Sequence, residues 1–128
     1  AEAERLVAEL APAVGSAGLC AVPWQSAALA RSFNETDLLV QASSATLDDG
    51  PGAAELSAML PFESLPAQAA VVDLVYRPRE TLVLKAAKAA GKQSVDGLGM
   101  LLHQGAIAFE KWIGLPAPLK AMREALEG

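Results

Sequence analysis

Most of the residues in this chain whose types and spacing could do chemistry fall between Val71 and Trp112. Asp96-Gly97-Leu98-Gly99-Met100 places two glycines around one leucine, directly before an apolar run that carries His103 and Gln104. Without a Cβ at either glycine, the backbone can turn tightly and approach a flat ligand. A helix starting there would aim free N–H groups and a positive dipole end at the same spot. Ligands of open α/β sheets bind outside the carboxyl ends of the strands, which is where this turn would fall. An isolated GxG also suits a plain strand-to-helix connection, so the position suggests a ligand without specifying one. Gln104 is polar on an otherwise apolar helix. It reads either as a core-edge amide bonded to backbone or, beside the small Gly105 and Ala108, as a bidentate amide suited to a polyol. Tyr76 ends the most strand-like stretch, as a capping core aromatic or as an active-site hydroxyl. His103 and Cys20 are the only residues of their types. Metal clusters and histidine-based triads therefore lack partners within the chain, and His103 reads as facing solvent or a partner. No general acid or base stands out.

The elements that must position these residues follow from periodicity and punctuation. Val71 to Val75 is a strand closed by Pro78. Thr81 caps a helix whose Val83, Ala86, Ala87 and Ala90 face the sheet, and Gly91 supplies its left-handed end. Ser94-Val95 is a minimal strand, Met100 to Ile113 a helix closed by Gly114 and Pro116. Pro118 opens a last helix with Leu119, Met122 and Leu126 inward. Upstream, Ala3, Leu6, Val7 and Leu10 have the spacing of a helix with one buried face, stopped by Pro12. Gly15 to Gly18 reads as a turn and Leu19 to Val22 as a short buried strand. Ser26 caps a helix through Phe33 with Leu29, Ala30 and Phe33 inward. Asp37 to Ala42 reads as a strand buried on both faces, as in a parallel sheet. Ser43 to Ala53 reads as a flexible polar loop, and Met59 to Leu65 as short turns. Strands alternating with helices predict an α/β parallel sheet.

A length of 128 residues suits one domain or part of one. The net charge of −5, with lysines scattered over helix faces, argues against a nucleic-acid partner. A lone cysteine rules out an internal disulfide and fits a reducing cytoplasm. No apolar run approaches the ~18 residues of a membrane span. The acidic, amphipathic start is unlike a signal peptide. With no initial methionine and an opening in mid-helix, the chain reads as cut from something longer.

Asp73-Leu74-Val75-Tyr76-x-Pro78, Glu80-Thr81, the alanine-rich helix to Gly91, Asp96-Gly97-Leu98-Gly99-Met100 and Gln104-x-x-x-Ala108-Phe109-x-x-Trp112 together resemble the C-terminal half of shikimate dehydrogenases. The likeness is dense from Val71 to Trp112 and weaker back to Ala1. It implies an α/β fold, a partial Rossmann-type parallel sheet flanked by helices and lacking the first two strands of the full domain. Residues 1–128 would be the C-terminal part of an NADP-binding domain, ending in helices from about residue 100. It implies NADP as cofactor, held by Leu74, Gly97, Met100 and Ser43, and shikimate or 3-dehydroshikimate as substrate, contacted by Tyr76 and Gln104. The family's proton-transfer Lys and Asp belong to a separate N-terminal substrate domain. That domain, or another chain, is the implied partner, and the segment alone should be inactive. Two departures stand out. Gln41-Ala42-Ser43-Ser44-Ala45-Thr46-Leu47 replaces the family's Asn-Ala-Thr-x-x-Gly-Met. The Gly-rich phosphate loop and the Asn-Arg-Thr-like stretch on the adenosine phosphate are absent. A non-catalytic module and a quinate-using paralogue are the alternative readings. With the full sheet ordered 3-2-1-4-5-6, Leu19 to Val22 would be strand three, with nothing beside it. The bare edge of strand four would then invite self-association or a rearranged N-terminal region.

Overall fold

The computed structural model describes residues 2–15 and 18–128. Three short strands, β1 (Leu38–Gln41), β2 (Ala70–Asp73) and β3 (Gln93–Val95), form a parallel sheet in the order β1-β2-β3. Among the described residues six α-helices accompany them: α1 (Glu2–Leu10), α2 (Ser26–Asn34), α3 (Pro51–Met59), α4 (Leu82–Ala89), α5 (Leu98–Ile113) and α6 (Leu119–Glu127). The architecture is thus α/β, a three-stranded parallel sheet flanked by helices, as part of a Rossmann-like domain would be.

Register decides which side chains share a face. Leu39 pairs with Val71, and Gln41 with Asp73. These four point to the side where the core lies. There Val71 is joined by Leu29 and Phe33 from α2, Val83, Leu84 and Ala87 from α4, and Phe62, Leu65 and Ala69 from the segment before β2. Leu56 of α3 packs against the same cluster. Leu29 and Phe33 of α2 and Val83 and Ala87 of α4 are therefore buried as expected, Ala86 and Ala90 pack against the cluster half-buried, Ala30 stays half-buried outside it, and Leu84 joins the core unexpected. Thr81 accepts a hydrogen bond from the Leu84 N–H at 3.3 Å, capping α4. Gly91 follows it at φ +74° and Gly114 closes α5 at the same φ, conformations that glycine adopts without a Cβ penalty.

The opposite face corrects the expectation that β1 is buried on both sides. Leu38, Val40 and Val95 share that face and are each about half exposed. Every crossover helix that touches the sheet core lies on the other side. Leu19 to Val22 is not a strand. Its residues lie outside any ladder, Leu19 and Cys20 exposed, since a strand needs a neighbour to pair with and the described ladders join only β1, β2 and β3. Helix α1 forms with the expected periodicity, but none of its residues is buried. The turn expected over Gly15 to Gly18 includes Ser16 and Ala17, which lie outside the described residues. Ser26 is the first residue of α2, with Gln25 at the capping position.

Two further differences are local. The supposed flexible loop from Ser43 to Ala53 contains a 3-10 turn (Ser44–Thr46) and the start of α3. Gly50 is extended at the N-cap and Pro51 occupies the first helical turn, where its missing N–H costs nothing. Helix α5 begins at Leu98, two residues earlier than Met100. In α6, Leu119 is exposed, while Met122 lies against Gly105 of α5, its methyl carbon 3.3 Å from where a Cβ would stand.

This core predicts a sharp contrast between two large residues. Leu84→Ala, at 2% exposure, should cost about 2–5 kcal/mol. Trp112→Ala, at 83% exposure, should stay within about 0.5 kcal/mol. Urea denaturation of both variants checks this, and equal losses would contradict the placement of the core.

Candidate functional site

At the carboxyl end of β2 a charged residue points into the core. Asp73 and its hydrogen-bond partners Thr46 and Thr81 are fully buried, and Gln41 is nearly so. Asp73 Oδ1 accepts from the Val75 N–H at 3.0 Å, from the Thr46 hydroxyl at 3.2 Å and, at 3.4 Å, from Gln41 Nε2. Asp73 Oδ2 accepts from the Thr81 hydroxyl at 2.8 Å. Gln41 carries the connection one step further. Its Nε2 donates to Thr46 Oγ1 at 2.7 Å and to the Ser43 carbonyl at 3.0 Å, while its Oε1 accepts from the Ser43 N–H at 2.6 Å. No buried side-chain polar atom among the described residues lacks a partner, which is the condition under which such a cluster is tolerated in a core.

Above this network, the loops that follow β1 and β2 enclose a cleft of about 410 Å³, lined by Ala42, Ser43, Ser44, Leu47, Leu74, Val75, Tyr76 and Arg77. Three residues expected to touch ligands, Ser43, Leu74 and Tyr76, therefore share one cavity. Tyr76 is exposed along it, which removes the capping-core reading. Leu47 is also exposed, and with Ala42 and Leu74 it gives the cleft an apolar wall suited to a flat ring.

Gly97 stands directly behind Leu74. A Cβ at Gly97 would lie 2.0 Å from the Leu74 carbonyl oxygen and 2.5 Å from its carbon. The Gly97 N–H donates to the Val75 carbonyl at 3.1 Å. The space a side chain would need is thus taken by the chain's own backbone, not left open for a ligand. Nor does Gly97 supply an unusual turn, since its φ is −76°. Its role is to let the β3–α5 connection lie against the end of β2. Gly99 has nothing within 4 Å of its Cβ position. Beside this contact Asp96 accepts from the Leu98 N–H at 3.1 Å and pairs with Arg79 at 2.9 Å, tying the start of α5 to the segment before α4. The exposed Glu80 carboxyl is held below its usual range by a hydrogen bond from Lys88 and by that ammonium's charge.

Met100 and Gln104 lie on α5, outside the lining of the cleft, and both are exposed. The reading of Gln104 as a core-edge amide fails, because its side chain is on the surface. His103 is exposed next to it. Among the described residues no group of three or more His, Cys, Asp or Glu could hold a metal ion. No helix among them is long and apolar enough to cross a membrane. What sequence reasoning left without a role was Asp73, although an acidic residue closing an apolar strand (Val71-Val72-Asp73) was the available signal.

The sequence profile of the Shikimate 5'-dehydrogenase C-terminal domain matches residues 97–127. A shikimate dehydrogenase (NADP(+)) of Desulforamulus reducens is 39% identical over 109 residues, covering 82% of this chain and 35% of the relative. Among solved structures, shikimate 5-dehydrogenase of Thermus thermophilus, in complex with NADP(H) and shikimate, is 41% identical with a TM-score of 0.64, covering 86% of this chain and 38% of that one. A quinate dehydrogenase from Corynebacterium glutamicum in complex with NAD superposes with a TM-score of 0.74 at 30% identity, covering 95% of this chain and 41% of that one. The chain spans between 35% and 41% of the length of these three relatives.

The two glycines of the turn should respond oppositely to the same change. Gly97→Ala must displace backbone and should destabilise by about 1–3 kcal/mol. Gly99→Ala, in open space within a helix, should stabilise by about 0.5–1 kcal/mol. Thermal melts of both variants test the assignment, and a neutral Gly97→Ala would refute it.

Proposed function

This chain belongs to the shikimate dehydrogenase family and aligns with the C-terminal part of its members, and from that premise we propose that it forms the nicotinamide-facing half of an NADP-dependent shikimate dehydrogenase. The complete enzyme would interconvert 3-dehydroshikimate and shikimate. Residues 1–128 would be the C-terminal part of its cofactor domain, with the helices from about residue 100 turned toward a substrate domain supplied elsewhere.

The observation that supports this most is the cleft at the carboxyl ends of β1 and β2, with Ser43, Leu74 and Tyr76 along one cavity. Its apolar wall and its volume suit a nicotinamide ring. The cofactor, when bound, supplies or takes up the hydride. Leu74 and Leu47 would cover the ring and exclude water from it, and Ser43 would border it on the β1 side. Gly97 would act through Leu74, by holding that backbone in place. Tyr76 and Gln104 would orient the hydroxyls of shikimate, Gln104 from the exposed surface of α5. Met100, on the first turns of α5, would meet the ring only from the rim. No proton donor or acceptor for the reaction is assigned within these residues. Nothing in the 128 residues has the pattern of a Gly-rich phosphate loop, so the dinucleotide's phosphates would be held by another part of the protein. The exposed thiol of Cys20 accords with a reducing, cytoplasmic setting. The unpaired outer edge of β1 and the bare face of Leu38, Val40 and Val95 would be covered by that missing part or, without it, by self-association.

A second reading is favoured by the superposition on a quinate dehydrogenase bound to NAD. In it the same cleft serves a paralogue that takes quinate.

The test is a complete enzyme that carries this segment. Wild type should reduce NADP with shikimate, and the isolated chain should not. Gln104→Ala should lower kcat/KM for shikimate by an amount equivalent to about 1–3 kcal/mol, with NADP affinity unmoved. Unchanged kinetics would remove Gln104 from the site, and activity with quinate alone would select the second reading.

A further inference from the structure

The buried carboxylate under the cleft has no part in the reaction as read above, yet every segment that borders the cleft is tied to it. The donor and acceptor roles in its network run one way. Gln41 Nε2 can only donate, so Thr46 Oγ1, which accepts from it at 2.7 Å, must point its single proton elsewhere, and Asp73 Oδ1 is 3.2 Å away. The Leu84 N–H donates to Thr81 Oγ1 at 3.3 Å, so the Thr81 proton is likewise directed to Asp73 Oδ2 at 2.8 Å. The Val75 N–H, one residue before Tyr76, also ends on Oδ1. Thr46, Gln41, the Val75 N–H and Thr81 all donate to Asp73. That side chain thus accepts from the end of β1 and the loop after it, from the chain between Leu74 and Tyr76, and from the N-cap of α4.

We propose that Asp73 is a positioning residue for hydride transfer. It fixes the two walls of the cleft, the Ser43–Leu47 loop through Thr46 and Gln41, and the Leu74–Tyr76 backbone through the Val75 N–H. This rests on the nicotinamide reading of the cleft. The two walls rise from different strands, and the loop above β1 has no other hydrogen bond to β2 or its extension beyond the pairing of Leu74 N–H with the Gln41 carbonyl at 3.0 Å. Without Asp73 the walls would drift relative to each other, and a small error in reacting geometry lowers the rate far more than it lowers binding.

Two arms test this. In the present chain, amide hydrogen exchange at Ser43 and Val75 should speed up at least about tenfold in Asp73→Ala. Asp73→Asn, whose amide oxygen can still accept from Val75 and Thr46 although its nitrogen takes from the Thr81 proton the acceptor it has in wild type, should keep most of the protection at Ser43 and Val75. Thr46→Val, which cuts only the β1 tether, should raise exchange at Ser43 and leave Val75 protected, and it serves where Asp73→Ala fails to fold. In the complete enzyme, Thr46→Val and Asp73→Ala should lower kcat about tenfold to a hundredfold, with KM for shikimate and NADP within about threefold, and Asp73→Asn should restore most of it. Wild-type kcat in Thr46→Val, or Asp73→Asn as damaged as Asp73→Ala, overturns the proposal. A wild-type enzyme inert with shikimate and NADP overturns instead the reading of the cleft. Exchange at Ser43 and Val75 then still decides whether Asp73 holds the loops.

Discussion

One buried carboxylate sets the shape of this chain's functional edge. An acidic side chain at the end of an apolar parallel strand is expensive to bury unless each oxygen is satisfied. Asp73 is satisfied by donors from three segments, 27, 2 and 8 residues away in sequence. The same bonds that make its burial tolerable therefore bring the β1 loop, the Tyr76 segment and the cap of α4 to one place. Gly97 adds the complementary constraint from the other side. Its missing Cβ lets the β3–α5 connection press against the Leu74 carbonyl, so the backbone that faces the cleft is held from beneath by Asp73 and from behind by Gly97.

The rest of the molecule is less self-sufficient. Its core lies on one face of a three-stranded sheet, and the other face presents Leu38, Val40 and Val95. Parallel sheets are ordinarily covered on both sides. Helix α1 buries nothing, and the end of α5 leaves Trp112 and Ile113 in the open. These surfaces agree with a segment spanning 35% to 41% of the relatives compared with it. A carboxyl edge tied together by buried hydrogen bonds is thus attached to surfaces that leave large apolar residues exposed.

Much of this was legible in the residues, where the signal was local. Thr81 at a helix start and glycines at Gly91 and Gly114 name conformations that few other residues supply, and each was found where expected. Leu29 and Phe33 on α2, and Val83 and Ala87 on α4, followed period and burial together. Failures arose where neighbours decide. Leu19 to Val22 has the composition of a strand, but a strand exists only beside a partner. The helix at Pro51 hid behind Asp48-Asp49-Gly50-Pro51-Gly52, since a run rich in glycine and proline reads as a loop even when the proline is a first helical residue. The glycine turn was located correctly, but composition could not tell whether ligand or backbone fills the space beside Gly97. Asp73 was visible in the sequence, yet its importance depends on Thr46 and Thr81, 27 and 8 residues away.

The claim on which the account turns is that Thr46 and Thr81 act through one shared acceptor. A double-mutant cycle with Thr46→Val and Thr81→Val, read by chemical denaturation of this chain, measures that directly. If Asp73 joins them, the loss in the double variant should differ from the sum of the single losses by about 0.5–3 kcal/mol. Strictly additive losses would contradict it, leaving the two hydroxyls as independent local contacts and the cleft without a common support.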